Sequence, residues 1–235
     1  MKVLCKCNKE VDPIYARNIS IFSELSDSEL KNIVQLLNKK EYIKGEVLCI
    51  EGEICENLFL IREGQIKLSK MTTDGKEQII HILNKGEFFG ETNLFDNIIS
   101  GFTAMAIKNS KIFSLSKENL ENILKKNAFI AIKILKVLAR RLSETEDLAT
   151  VLATKDVEAR IASMLLEFTN KYGEIIDNNI IIKLPLNRED MANYCGVTRE
   201  TISRKLSKFE SDNILELQGN KKILIKDIDK LKGIQ

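Results

Sequence analysis

The sequence has few of the groups that enzymes use for catalysis. Its 235 residues include one histidine, His81, and contain no P-loop, no G-x-S-x-G nucleophile motif and no His/Cys cluster at metal-ligand spacing. No apolar run approaches the length that spans a bilayer, and the N-terminus lacks the apolar core of a signal peptide. These absences argue against an enzyme and a membrane protein, and we expect a cytoplasmic protein.

The chain also lacks a strong charge of either sign. It has 36 basic and 34 acidic residues, so the formal net charge of +2 argues neither for nor against a nucleic-acid partner. Five cysteines at irregular spacing do not resemble a disulfide framework, which fits a reducing compartment. The length suffices for two domains.

The first half of the chain has the pattern of an antiparallel β-roll. Ser26 and Glu29 form a capping box ahead of a short amphipathic helix. Short apolar runs such as "LFLI" and "QIIHIL" follow, separated by glycines at positions 45, 52, 64, 75 and 86. Regular turns between short strands are typical of a roll or barrel.

Residues 127–153 contain no glycine or proline and predict one long helix. Such a helix spans about 40 Å, which is longer than one small roll needs to cover it. The helix could lie on its own sheet, but its length favours pairing with a second copy in a homodimer. The predicted seam follows a 3-4-3-4-3 spacing and consists of Leu135, Leu138, Leu142, Thr145, Ala149 and Leu152.

The C-terminal third has the pattern of a winged helix-turn-helix. One hairpin turns on residues 177–179 and a second on Gly219 and Asn220, with two short helical segments between them. The predicted fold class is therefore α+β, in three parts: an antiparallel β-roll at 1–126, a dimerisation helix at 127–153 and a winged helix-turn-helix at 154–235.

The helix pair can be assigned residue by residue. Asn187 caps the first helix, Gly196 allows the tight turn, and Thr198 caps the second helix. The inward face of the second helix consists of Ile202, Leu206 and Phe209.

The outward face of the second helix carries both basic residues and one acid. Arginine makes paired hydrogen bonds to guanine, whereas a glutamate accepts one from cytosine. A purely electrostatic grip on phosphates would gain nothing from the carboxylate of Glu200. We therefore predict that this helix reads double-stranded DNA, with contacts from Thr198, Arg199, Glu200, Ser203, Arg204 and Lys208.

The chain resembles the CRP/FNR transcription regulators over nearly its whole length. The specific segments are "KDVEARIASMLLEF" and "RETISR", and the glycine-punctuated, cyclic-nucleotide-binding-like roll agrees with them. The resemblance implies that Arg199, Glu200 and Arg204 match the base-reading positions of the family and that Ser203 stands at a position that tunes specificity in some branches. It further implies a homodimer on a palindrome with TTGA- or TGTGA-like half-sites, and RNA polymerase as a partner.

The sequence departs from the cyclic-AMP branch of that family. In that branch an Arg-Ser pair after a segment like "GEFFGE" holds the cyclic phosphate, and Gly101 and Phe102 stand at those positions here. A phosphate buried without a cation or hydroxyl would be costly, so we expect no binding of cyclic AMP.

Other branches of the family sense gases or redox state through haem or an iron–sulfur cluster. Haem is the first candidate cofactor, with Met71 and His81 as candidate iron ligands, although a lone Met or His in a roll is more often a packing residue. A cluster is the second, because thiolates hold such clusters, but the spacing of the four candidate ligands differs from that of the oxygen-sensing branch. Those ligands, which could also form a thiol switch, are Cys5, Cys7, Cys49 and Cys55. Cys195 is predicted to be a small core residue.

The predicted signal is therefore nitric oxide, another diatomic gas or the redox state. Two alternatives stay open from the sequence. One is a regulator whose roll binds a small organic ligand. The other is a regulatory subunit of an enzyme or signalling complex that does not bind DNA.

Overall fold

The computed structural model describes Arg17 and residues 19–22, 25–91, 99–176 and 179–234. The chain divides into two compact units, of which the second contains Met71–Ile80 and the chain from Ser143 onward, and the first contains the remainder. This division falls inside the long helix, whereas the sequence places domain limits at the two ends of that helix. The limits at 126 and 153 stay a prediction.

Two four-stranded sheets build the first part of the chain. Their strands are β1 (Asn38–Tyr42), β2 (Val47–Cys49), β3 (Asn57–Glu63), β4 (Gln65–Met71), β5 (Glu77–Asn84), β6 (Phe88–Phe89), β7 (Thr103–Ala106) and β8 (Ser110–Ser116). One sheet has the order β1-β8-β3-β6 and the other β2-β7-β4-β5. The β1/β8, β3/β8, β3/β6, β2/β7 and β4/β7 pairs are antiparallel, as the roll pattern predicts.

The predicted turns and cap are confirmed. Helix α1 (Asp27–Gln35) begins with a capping box in which the Ser26 side chain accepts from the Glu29 amide and Glu29 accepts from the Ser26 amide. All five predicted turn glycines have positive φ. At Gly64 the requirement is also steric, because an added Cβ would lie 2.7 Å from the backbone of Ser110.

The core of the first unit has two parts. One lies under α1 and contains Leu58, Leu60 and Phe113 from the sheet. The other lies between strands and contains Phe59, Phe89, Cys49 and Cys55.

Helix α2 (Lys117–Lys126) leads into the long helix α3, which covers Ala128–Thr154 against a predicted 127–153. Arg141 of α3 donates to the Glu91 carboxylate and to the Phe88 carbonyl, and both charged side chains are buried. A buried ion pair is costly to break from one side, so this contact fixes α3 on the roll.

The second unit is built around a third sheet and four helices. Its elements are α4 (Val157–Tyr172), β9 (Gly173–Ile176), β10 (Asn179–Lys183), α5 (Arg188–Cys195), α6 (Arg199–Ser211), β11 (Leu215–Gln218), β12 (Lys222–Ile225) and α7 (Ile228–Gly233). The antiparallel sheet order is β11-β12-β10-β9, so the two predicted hairpins share one sheet beside the helix pair.

Residues 71–80 pack with this second unit. The Gln78 amide nitrogen donates to the Tyr194 carbonyl at 3.1 Å, and the Asn193 amide nitrogen donates to the Glu77 carboxylate at 2.8 Å. The sequence pattern did not predict these two hydrogen bonds, because each joins residues that are 116 positions apart in the chain.

Among the described residues, no helix has the length and apolar character that crossing a membrane requires.

Candidate nucleic-acid interface

Local hydrogen bonds shape the helix pair as the sequence predicts. The Asn187 side chain caps α5 by accepting from the Asp190 amide at 2.9 Å. Gly196 ends that helix in the left-handed conformation at φ +63, which disfavours any residue with a Cβ. The Thr198 hydroxyl then caps α6 by accepting from the Thr201 amide at 3.3 Å. The turn is therefore held at both ends.

The inner face of α6 is fully apolar. Ile202 and Leu206 are completely buried and Phe209 is 1% exposed, which confirms the predicted inward spacing. Burial of three large side chains fixes the rotation of α6 about its axis. The opposite face of the helix is therefore exposed to solvent.

All six residues that the sequence predicts as DNA contacts are exposed, two of them, Thr198 and Arg199, at the start of α6. The exposed residues are Thr198, Arg199, Glu200, Ser203, Arg204 and Lys208. At 100° per residue, Glu200 and Arg204 lie nearest the centre of the exposed side. Their role in reading bases stays a prediction, but their placement satisfies its geometric requirement.

Two lysines of α6 are paired with one glutamate of α4. Lys205 and Lys208 donate to the same carboxylate oxygen of Glu158, at 2.5 and 2.7 Å, and Glu158 lies in the first turn of α4. The hydrogen bonds from Lys205 and Lys208 lower the pKa of Glu158, and the bond to Glu158 raises the pKa of Lys208. The sequence pattern missed Glu158, because the lysines lie 47 and 50 residues further along the chain.

Within the described part of the chain, no ion pair involves Arg199, Glu200 or Arg204. These three side chains can meet a new partner without first leaving an old one. Lys208 instead exchanges Glu158 for a phosphate if it contacts DNA. The helix therefore carries two kinds of charged residue. Arg199, Glu200 and Arg204 are available to base edges, whereas Lys205 and Lys208 are already neutralised by Glu158.

Cys195, the last residue of α5, is a core residue as predicted. It is buried, and burial raises the pKa of its thiol to about 12, so it stays protonated at neutral pH. Its neighbour Tyr194 donates to Glu167 at 2.6 Å, and burial raises the pKa of that phenol. Neither group is reactive in this environment.

The exposed face of α3 differs in part from the predicted seam. Leu135 and Leu142 are 63% and 61% exposed, and Ile132 on the same face is 48% exposed. Leu138 instead packs against the core of the first unit, and Leu152 is half-buried. The sequence spacing predicts that Leu138 and Leu152 face outward, but other residues of the same chain cover part of each side chain.

The exposed apolar stripe continues along the second half of α3 with small residues. Thr145 and Ala149 are exposed as predicted, and Ala139 and Ala153 are exposed as well. The stripe therefore follows 132, 135, 139, 142, 149 and 153, at the spacing of one helix face.

The candidate sensor residues come from the first part of the chain. Met71 is the exposed last residue of β4, and His81 is half-buried in β5; their role as haem ligands stays a prediction. Cys49 and Cys55 form a disulfide, a state in which neither sulfur is a thiolate ligand. Cys5 and Cys7 lie outside the described residues.

A metal site has no support among the described residues. No group of three or more His, Cys, Asp or Glu side chains there could hold a metal ion. The iron–sulfur cluster therefore stays a prediction that these residues do not fit.

Positions 101 and 102 do not present groups for an anion. Phe102 packs beside the core, with its ring centroid 6.3 Å from that of Phe89 in an edge-on arrangement. Gly101 is exposed and has no side chain. The nearby Ser100 hydroxyl already donates to the Phe102 carbonyl at 2.6 Å.

Two known domain families together match most of the chain. The cyclic nucleotide-binding domain matches residues 39–127, and the Crp-like helix-turn-helix domain matches residues 159–234. The first range covers the two sheets of the roll except Asn38, and the second covers the helix pair and the third sheet.

Similar proteins align with both parts of the chain. The CRP-like cAMP-activated global transcriptional regulator of Mycobacterium tuberculosis is 28% identical over 94% of this chain and 98% of its own. The fumarate and nitrate reduction regulatory protein of Salmonella typhimurium is 28% identical over 89% of this chain and 84% of its own.

Solved structures are also similar to this chain along most of its length. FixK2 from Bradyrhizobium japonicum has a TM-score of 0.75 at 26% identity, covering 85% of this chain and 97% of its own. A CooA mutant from Carboxydothermus hydrogenoformans has a TM-score of 0.78 at 24% identity over 96% of each chain, which shows the shared fold. With two matched domains and relatives aligned along most of their length, this chain belongs to the CRP/FNR family of DNA-binding transcription regulators.

Proposed function

We propose that the protein acts in the cytoplasm as a homodimer that binds a palindromic operator and regulates transcription by RNA polymerase in response to redox state. The observation that carries this proposal is the outward face of α6, where Arg199, Glu200 and Arg204 are exposed and have no ion-pair partner among the described residues. Unpaired donors and an acceptor at the N-terminal end of such a helix suit base edges in the major groove.

The apolar stripe of α3 supports the homodimer. Leu135 and Leu142 are large apolar side chains on one helix face, and each is more than half exposed in its own chain. A two-fold interface would bury each of them against the same helix of a second copy. Two copies of α6 would then be held at the separation of two half-sites, about one helical turn of DNA.

The roll supports a signal other than cyclic AMP. The positions that hold the phosphate in the cyclic-AMP branch are occupied by Gly101 and by Phe102, which packs beside the core. A buried phosphate there would have neither a cation nor a free hydroxyl from these two residues, which is costly. The Cys49–Cys55 disulfide instead favours a redox signal.

Operator binding with and without cyclic AMP tests this function. The full-length protein should retard discrete genomic fragments in a gel, with two chains per bound duplex, and millimolar cyclic AMP should change neither the affinity nor the stoichiometry. Calorimetry of the same protein should give no isotherm with cyclic AMP.

A cyclic-AMP isotherm coupled to tighter DNA binding would contradict the assigned signal. Failure to retard any fragment would favour a regulatory subunit that does not bind DNA. A response to a small apolar compound alone would favour an organic ligand in the roll.

Glu158 should limit the affinity for DNA of any sequence. Because its carboxylate neutralises Lys205 and Lys208, replacement by glutamine should free positive charge on α6. The variant Glu158→Gln should bind non-specific duplexes more tightly, and the slope of log K against log salt should steepen by about 0.9 for each additional phosphate that a freed lysine neutralises. Titration of a labelled duplex without an operator, at a series of salt concentrations, measures both.

Asp229→Asn is the matched control, because it removes one negative charge from α7, where Asp229 pairs only weakly with Lys232 at 3.5 Å. This control should leave the salt slope unchanged. Equal affinities and equal slopes for Glu158→Gln and the unaltered protein would show that Glu158 does not limit DNA binding.

A further inference from the structure

We propose that Cys49 and Cys55 form a reversible redox modification site in the roll, and that their oxidation state controls the segment at residues 99–103. The proposal identifies the site of the redox signal and rests on the proposed function only for its effect on DNA binding. The two residues are joined in a disulfide with a Cα separation of 6.2 Å and a sequence separation of six. That separation lies within the range that a disulfide spans without backbone movement.

The surroundings of the pair suit both oxidation states. Cys49 and Cys55 are each 6% exposed and belong to an apolar cluster with Phe59, Phe89 and Ile66. A reduced cysteine is itself accepted as a small apolar core residue. Reduction therefore leaves no buried charge and no unsatisfied strong polar group, so the roll can hold either the dithiol or the disulfide.

The loop between the cysteines is exposed, which gives an oxidant a route to the pair. Ile50 and Ile54 are 46% and 69% exposed, and Gly52 turns the chain at φ +83. Local opening of this short loop uncovers the sulfurs without unfolding the sheets.

The same loop is hydrogen-bonded to the segment that lies beside it in space. The Gly52 amide donates to the Ser100 carbonyl and the Ser100 amide donates to the Glu53 carbonyl, both at 2.8 Å. Ile54 forms a β-bridge with Ile99, and the Glu51 amide donates to the Thr103 hydroxyl at 3.1 Å. A covalent link across the loop therefore restricts two segments at once.

The second segment contains Gly101 and Phe102, the positions that hold the effector phosphate in the cyclic-AMP branch. The pair can thus act at the same place in the roll without a bound nucleotide. A disulfide in a cytoplasmic protein is typically a sensor and not a permanent brace.

The chemical step is a thiol–disulfide exchange with a low-molecular-weight disulfide such as oxidised glutathione. The thiolate of one cysteine attacks the glutathione disulfide, forms a mixed disulfide and releases one glutathione. The second thiolate then attacks the protein sulfur of that mixed disulfide and releases the second glutathione. The two cysteines lose two electrons and two protons, and the glutathione disulfide gains both.

Mass spectrometry of the full-length protein in mixtures of reduced and oxidised glutathione tests the site. Alkylation followed by peptide mapping should show the Cys49–Cys55 link increasing smoothly across the mixtures and returning to two alkylated thiols on reversal. Cys195 is the internal control, because its buried thiol should not change with the mixture. A link that never forms, or one that persists in a large excess of reduced glutathione, would overturn the proposal.

Amide hydrogen exchange and operator titration test the consequence. In the oxidised form the amides of Gly52 and Ser100 should exchange roughly tenfold or more slowly than in the reduced form, because the closed loop opens less often. Operator affinity should differ roughly tenfold or more between the two forms, and this difference should vanish in the Cys49→Ala/Cys55→Ala double variant.

Equal exchange in the two forms would overturn the coupling to residues 99–103. Operator affinity that ignores the oxidation state would overturn the regulatory role. Loss of operator binding in both forms would reject the proposed function instead, while the mapping and the exchange data would still decide the site.

Discussion

Arg204→Ala should lower the affinity for the operator by roughly 30-fold or more. An arginine that makes paired hydrogen bonds to guanine contributes about 1–3 kcal/mol of discrimination, and a two-fold operator contains two such contacts. Arg204 is exposed near the centre of the outward face of α6 and has no ion-pair partner among the described residues, so its removal breaks no internal ion pair there. Fluorescence titration of a labelled operator, and of the same operator changed at each position in turn, measures the effect.

Lys208→Ala is the contrasting variant. Lys208 lies on the same helix but is paired with Glu158, and its expected partner on DNA is a phosphate. Its loss should weaken binding to all sequences alike and leave the base preference intact. If Arg204→Ala also weakened all sequences equally, Arg204 would be a phosphate contact and not a reader of bases.

Leu142→Asp should abolish the dimer and, with it, high-affinity operator binding. Leu142 is 61% exposed in one chain, and the proposed interface would bury it in both copies. A carboxylate there would be buried twice without a partner, at a cost of several kcal/mol for each copy. Because only linked copies of α6 can hold both half-sites, operator affinity should fall roughly 100-fold or more. Sedimentation velocity and operator titration measure the two effects.

Ser143→Asp is the matched control for this variant. It places the same charge one residue further along α3, about 100° around the helix from Leu142, at another exposed position. Because Ser143 borders the stripe and does not lie at its centre, this variant should weaken the dimer and operator binding far less than Leu142→Asp does. An intact dimer for Leu142→Asp would show that the interface does not use the stripe through Leu135 and Leu142.

Local features of the fold could be predicted from the sequence because short-range geometry determines them. The caps at Asn187 and Thr198 each depend on a hydrogen bond to a residue three positions ahead. The inward face of α6 follows from helical spacing alone, and Gly196 marks the turn because it adopts a left-handed conformation. The roll was likewise predictable from the repeated turn glycines.

Contacts between distant segments could not be predicted in this way. The pairing of Glu158 with two lysines depends on how α4 packs beside α6, and no local pattern encodes that packing. The inward turn of Leu138 depends on the core against which α3 lies. The Cys49–Cys55 disulfide was not predicted either, because the irregular spacing of the five cysteines does not resemble a disulfide framework. For the α6 side chains the sequence predicted the exposure, while their contacts with bases await measurement.

Selection from random DNA by the full-length protein tests whether two copies of α6 read the bases of a palindromic operator. Wild type and Glu200→Ala should be selected in parallel, and the enriched sequences should be compared position by position. We expect a palindrome for wild type, with half-sites about one helical turn apart and a G·C pair in each, and a relaxed preference at one symmetric pair of positions for Glu200→Ala. Enrichment without two-fold symmetry, or identical preferences for the two proteins, would contradict this expectation.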